Sequence, residues 1–121
     1  MQLQLIEVQT FVSDLVRATS FYENTLGFKK KHEGKGWVIF DLQGMEFVIQ
    51  SGANPLASHS EYGKQCGTML VLSTDEIEKT VDTLKKCGVE FLGEVRSVPQ
   101  GKFIGFKDPD GNHIELAQQT K

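Results

Sequence analysis

The chain has 121 residues, 39% of them apolar and 24% charged, with a formal net charge of −3. That length lies near the commonest domain size and the balance is ordinary for a globular protein, so extensive disorder and fibrous structure are excluded and one domain over residues 1–121 is expected. A pI of about 5.6 and a lone basic run, Lys29-Lys30-Lys31-His32, give no electrostatic footprint for nucleic acid; the run reads as a solvated strand edge.

The N-terminal Met1-Gln2-Leu3-Gln4-Leu5-Ile6-Glu7 has no basic stretch ahead of its apolar residues. This argues against a signal peptide, and no apolar run is long enough to span a membrane. Cys66 and Cys87 stand outside any CxxC or Cys/His cluster, so neither a zinc site nor a disulfide framework is expected, and a reducing cytoplasm is.

Leu3 to Val12 alternates as a strand with two unlike faces. Ser13-Asp14 supplies a helix N-cap, Leu15, Ala18, Tyr22 and Leu26 follow at helical spacing, and Gly27 ends the helix as the residue able to turn left-handed. Three short strands come next, Phe28 to His32, Trp37 to Leu42 and Met45 to Gln50, separated by Glu33-Gly34-Lys35-Gly36 and Gln43-Gly44. The order of this first module, residues 1–50, is βαβββ. Residues 51–66 read as a connector.

Then the pattern restarts. Met69 to Leu72 is a strand, Thr74-Asp75 a cap, and Ile77, Val81 and Leu84 form a helical stripe closed by Gly88, with Cys87 at its end reading as a small buried residue. Glu90 to Val95, Lys102 to Phe106 and Asn112 to Ala117 complete a second βαβββ module over residues 67–121, so the chain reads as an internal duplication. Asp108, Pro109 and Gly111 fill the first, second and fourth places of a type I turn. In the strand that follows, Ile114 and Leu116 alternate with His113 and Glu115. From the alternation alone, a solvated Glu115 and an inward Glu115 stand about equal.

Val12-Ser13-Asp14-Leu15, Ala18, Phe21-Tyr22, Leu26-Gly27-Phe28 and Asp108-Pro109-Asp110-Gly111-Asn112, with Ile114-Glu115-Leu116 after it, resemble the vicinal oxygen chelate superfamily. Its members include glyoxalase I, bleomycin-resistance proteins, fosfomycin-resistance enzymes and extradiol dioxygenases. The resemblance spans the chain and implies an α+β fold in which two paired βαβββ modules form a curled eight-stranded mixed sheet, a cup with its helices outside. It also implies a homodimer, module-swapped in some members.

In that geometry Glu115 lines the cup, as do Glu7 and Gln50, while Ile6 and Val8 lie under the helix and Phe47 and Ile49 take the packing side. Metal-dependent relatives carry His, Glu or Gln ligands at four inward positions, which match Glu7, Gln50, Met69 and Glu115 here. The places expected to hold His are Glu7 and Met69, and a thioether suits soft ions rather than catalytic zinc, nickel or iron. No cofactor is therefore expected; a divalent metal, if held, would take Glu7, Gln50 and Glu115. Phe11, Trp37 and Phe103 supply inward stacking surfaces, and His113, sharing a face with Glu115, is a candidate neutralising partner. Two functions follow. One is a metal-free, bleomycin-resistance-like binder whose acidic and aromatic cavity takes a planar or cationic small molecule. The other is a glyoxalase-like lyase or isomerase in which Glu7 or Glu115 moves a proton beside a carbonyl. Dioxygenase chemistry is disfavoured, because no inward pair of His is present.

Overall fold

The computed structural model describes residues 1–52 and 68–120, and the chain divides into two compact units, Met1–Asn54 and Pro55–Lys121. The connector beyond Gly52, with His59 and Cys66, lies outside the described residues.

In the first unit β1 (Glu7–Val12), α1 (Leu15–Ser20), a π-helical turn (Phe21–Thr25), β2 (Lys29–Gly34), β3 (Trp37–Leu42) and β4 (Met45–Ser51) follow in order. The sheet order is β1-β4-β3-β2, with β1 parallel to β4 and the other pairs antiparallel. Strand β1 is shorter than its alternation suggests. Its parallel register pairs Glu7 with Glu46, next to the first residue of β4, so the residues before Glu7 have run past the end of their partner. Ile6 consequently lies 73% exposed and not under the helix. The Asp14 cap forms as expected, its Oδ1 accepting from the Arg17 N–H at 3.0 Å, and Gly27 ends the turn at φ +77°. Helix and sheet close on an aromatic core: the Tyr22 ring lies 5.6 Å from Phe28 and 5.0 Å from Phe47. Burial of each such side chain is worth about 1.5–3 kcal/mol.

The second unit repeats this plan with β5 (Leu70–Ser73), α2 (Ile77–Lys86), β6 (Arg96–Val98), β7 (Gly101–Lys107) and β8 (His113–Gln119). Its order is β5-β8-β7-β6, again with the first strand parallel to the last. Duplication thus holds at the level of topology. The architecture is α+β, with the eight strands divided between two four-stranded mixed sheets. Ile77, Val81 and Leu84 bury their α2 stripe in the same core as Ile104, Phe106, Ile114 and Leu116.

Three local expectations change. Thr74-Asp75 does not cap α2: the helix begins at Ile77, and the Ile77 N–H donates to Gln118 Oε1 from β8 at 2.8 Å. Cys87 is exposed, because it falls past the last buried turn of the stripe. Glu90 to Val95 does not form a strand. It makes one bridge, Phe91 to Phe106, and breaks at Gly93, whose φ of +113° takes it out of the sheet conformation. The ladder resumes at Arg96 opposite Phe103. In β8, every residue from His113 to Ala117 is buried.

The closing turn is built on one carboxylate. Asp108, 4% exposed, accepts at Oδ1 from the N–H groups of Asp110 and Asn112 at 2.9 and 2.8 Å and at Oδ2 from Asn112 Nδ2 at 2.8 Å. The Gly111 N–H closes the turn on the Asp108 carbonyl at 2.9 Å.

Candidate functional site

In each sheet one face meets the helix and the other holds the candidate site residues. In the first unit the registers place Glu7, Gln9 and Phe11 of β1 beside Glu46, Val48 and Gln50 of β4, and these beside Asp41, Ile39 and Trp37 of β3. The face therefore has an acidic end, Glu7–Glu46–Asp41, and an aromatic end, Phe11–Gln50–Trp37. The two ends are separated by four residues, about 13 Å along a strand. The sequence-derived residues Phe11, Gln50 and Trp37 stand side by side across three strands. Glu7 is on the same face but at its other end, where its neighbour is Glu46 and not Gln50, and Gln9 Nε2 donates to its Oε1 at 3.2 Å. The acidic end carries its own cation. Lys31, beside a register shift in β2, bonds Glu46, and that hydrogen bond, reinforced by the negative charges of Glu46 and Asp41, raises its pKa.

Two glycines set the rings at the aromatic end. A Cβ on Gly34 would lie 2.3 Å from Trp37 Cζ2, and one on Gly52 would lie 2.9 Å from Phe11 Cδ1. Each ring thus rests against bare backbone that only glycine leaves open. Phe11 keeps 46% of its surface exposed, Trp37 is half-buried and Gln50 is exposed.

In the second unit the corresponding face carries Val71 and Ser73 of β5 beside Glu115 and Ala117 of β8, then Gly105 and Phe103 of β7, then Arg96 of β6 opposite Phe103. His113 lies two residues before Glu115, opposite Lys107. Both His113 and Glu115 are buried, at 6% and 8% exposure. Phe103 is half-buried, and Met69, half-buried, sits just before β5.

The cation at Glu115 is Arg96, which residue-by-residue reading missed: Arg96 Nη2 donates to Glu115 Oε2 at 3.1 Å. Phe103 pairs with Arg96 and Gly105 with Glu115, so the guanidinium crosses β7 beside a residue with no side chain. The break at Gly93 chooses this partner. The Leu92 N–H donates to the Gly105 carbonyl, so an unbroken ladder would set Glu94 opposite Phe103; Arg96 is found there instead. Two extra residues on the β6 side therefore replace an acid by a base. The one available signal was Gly93 itself, and the size of a bulge is not written in a glycine.

These donors do not fit a resident divalent ion. Glu115 already bonds a guanidinium, Met69 offers only a thioether, and among the described residues neither unit gathers three His, Cys, Asp or Glu side chains able to hold a metal.

A four-stranded βαβββ unit given twice, each with one polar and aromatic face, is a fold of the glyoxalase type. The chain belongs to the Glyoxalase/Bleomycin resistance protein/Dioxygenase superfamily, whose family model matches residues 4–116. It is 31% identical over 110 residues to the metallothiol transferase FosB of Lysinibacillus sphaericus, covering 90% of this chain and 77% of that protein. Its fold is similar to the fosfomycin resistance protein FosX of Listeria monocytogenes complexed with Mn(II) and sulfate, with a TM-score of 0.80 and 23% identity over 99% of this chain and 93% of that one. It is also similar to TnmS3, an antibiotic binding protein from Streptomyces sp. CB03234, with a TM-score of 0.75 and 25% identity over 99% of both chains. Among the described residues no helix is long and apolar enough to cross a membrane.

Proposed function

We propose that this chain is a small-molecule-binding member of its superfamily, bleomycin-resistance-like, which sequesters a planar compound in the cytoplasm and holds no metal. Residues 1–50 and 67–121 serve as the two modules of one binding domain. The observation that carries this reading is the row Phe11–Gln50–Trp37, in which two rings held by glycines flank an exposed amide. Such a row offers stacking to a flat ligand and a hydrogen bond to its polar edge. Phe103, His113 and Met69 are the candidate apolar and polar contacts of the second unit. Likeness to an antibiotic binding protein supports the same reading.

The pairing of Glu115 with Arg96 narrows the guest. With its carboxylate matched by a cation, Glu115 adds no unbalanced charge to the second unit, so the flat row Phe11–Gln50–Trp37 is taken as the recognition element and ligand planarity as its first requirement. Titration with 9-aminoacridine, a flat cation, and naphthalene-2-sulfonate, a flat anion, tests this by quenching of Trp37, the protein's single tryptophan. Saturable quenching by either, weakened about tenfold or more in Phe11→Ala, is the expected result. Quenching that is linear and identical in the variant would sink the proposal.

Identity to a metallothiol transferase favours a second reading: a metal-dependent lyase, isomerase or transferase with Glu7 and Glu115 as its acid–base groups and Glu7, Gln50 and Glu115 as ligands. It requires Arg96 to leave Glu115, and Glu7 and Gln50 to reach one another from opposite ends of a sheet face.

A further inference from the structure

We infer that the aromatic end of the first unit takes a flat ligand carrying an anionic group, with the ligand's ring on Trp37 and its anion against His32. The inference deepens the planar-ligand reading above and rests on it.

The register of β2 carries the inference. Its pairing with β3 runs from Lys29 opposite Asp41 to Lys30 opposite Phe40, then passes directly to His32 opposite Ile39, so that Gly34 comes to stand opposite Trp37. Lys31 is the extra residue of a bulge. A ladder without it would set Lys31 opposite Ile39, His32 opposite Val38 and Glu33 opposite Trp37, exchanging the two faces of everything that follows. The bulge therefore changes the surroundings of the indole in three ways. It withdraws Glu33, which pairs instead with buried Val38 on the other face and bonds Lys30 at 3.3 Å. It seats the indole over bare backbone, where a Cβ on Gly34 would lie 2.3, 2.4 and 2.7 Å from Cζ2, Cε2 and Nε1. It also brings exposed His32 onto the site face beside Ile39, two residues or about 7 Å along the strand from Trp37. The carboxylates further along this face are matched: Lys31 bonds Glu46, and Lys29 stands opposite Asp41.

The second unit makes the same exchange by a different irregularity, since the break at Gly93 sets Arg96 and not Glu94 opposite Phe103. In both units an acid leaves the neighbourhood of a site ring and a base enters it. An imidazole carries at least one N–H in either tautomer, so His32 can donate to an anionic oxygen on a ring stacked over Trp37. A flat cation in the same place has lost the carboxylate that would have faced it.

Two probes of one shape test this: naphthalene-2-sulfonate, a flat anion, and naphthalene-2-sulfonamide, its uncharged counterpart, each titrated into the full chain while quenching of Trp37 is read. Wild type should bind the sulfonate about fivefold more tightly than the sulfonamide, the margin of a charge-assisted over a neutral hydrogen bond. His32→Ala should erase that preference and leave the sulfonamide affinity unchanged, and His32→Gln, which keeps an N–H donor, should restore part of it. Because His32 is exposed, neither substitution disturbs the core. Equal weakening of both probes in His32→Ala would make His32 a structural support and overturn the inference, as would a sulfonate preference that is absent from wild type or intact in His32→Ala. In those cases the planar-ligand reading stands. No saturable quenching by either probe would overturn both.

Discussion

Gly34 has more influence on the candidate site than its place in a glycine-punctuated hairpin suggests. A methyl group there would overlap the Trp37 ring at 2.3 Å from Cζ2, and an indole cannot swing aside as a flexible chain end can. Gly34→Ala should lower stability by about 1–3 kcal/mol through overpacking and alter the Trp37 signal in near-ultraviolet circular dichroism. Wild-type stability together with a wild-type spectrum would show that the ring does not rest there. Parity put Trp37 among the candidate site residues, and the register sets it on the face of Gln50, with which it pairs, and of Phe11, which pairs with Gln50 in turn. It could not lead to the seat beneath the ring. A glycine in a turn and a glycine under an aromatic are the same letter, and only the chain's path separates them.

At the scale of elements, the parts written in local code were legible and those supplied from a distance were not. Asp14 caps α1 from three residues away, a relation visible in sequence. The cap of α2 comes from Gln118, 41 residues later, and its only local hint, Thr74-Asp75, pointed elsewhere. Loss of that acceptor leaves a helix-end N–H unsatisfied, so Gln118→Ala should cost about 0.5–2 kcal/mol in urea denaturation. Gln118→Glu, which keeps an acceptor and adds a charge favourable to the helix N-terminus, should recover most of it. Equal stability of all three proteins would remove Gln118 from the account of α2. Strand β6 was misplaced for a related reason: Glu90 to Val95 carries enough apolar residues to read as a strand, but a positive φ at Gly93 ends the strand conformation midway.

For the whole molecule, repetition was the most legible feature, because two strand–helix–strand patterns of equal length leave little else to build. Assembly is less so. Leu3, Leu5 and Ile6 are 84%, 69% and 73% exposed just ahead of β1, an edge strand of its sheet, and apolar residues beside an unpaired edge are where another chain can dock. We propose a homodimer, swapped or unswapped, that covers them. Sedimentation equilibrium should give twice the 13.5 kDa chain mass, and Leu5→Asp with Ile6→Asp should shift it to the monomer. A wild-type monomer at high micromolar concentration would refute the dimer.

The break before β6 has a consequence for how such a protein could diversify. A strand that slips by two residues keeps every side chain on its original face, so it is the smallest slip a half-buried sheet tolerates. Here that slip would exchange Arg96 for Glu94 over Phe103. Loss of the two-residue Pro99-Gln100 connection between β6 and β7, with the turn re-formed on Ser97-Val98, would therefore reverse the sign of the charge beside Glu115 while every site residue stayed as it is. Among relatives, the length of the β6–β7 turn becomes a marker of the charge beside this carboxylate that comparison of aligned site residues would overlook.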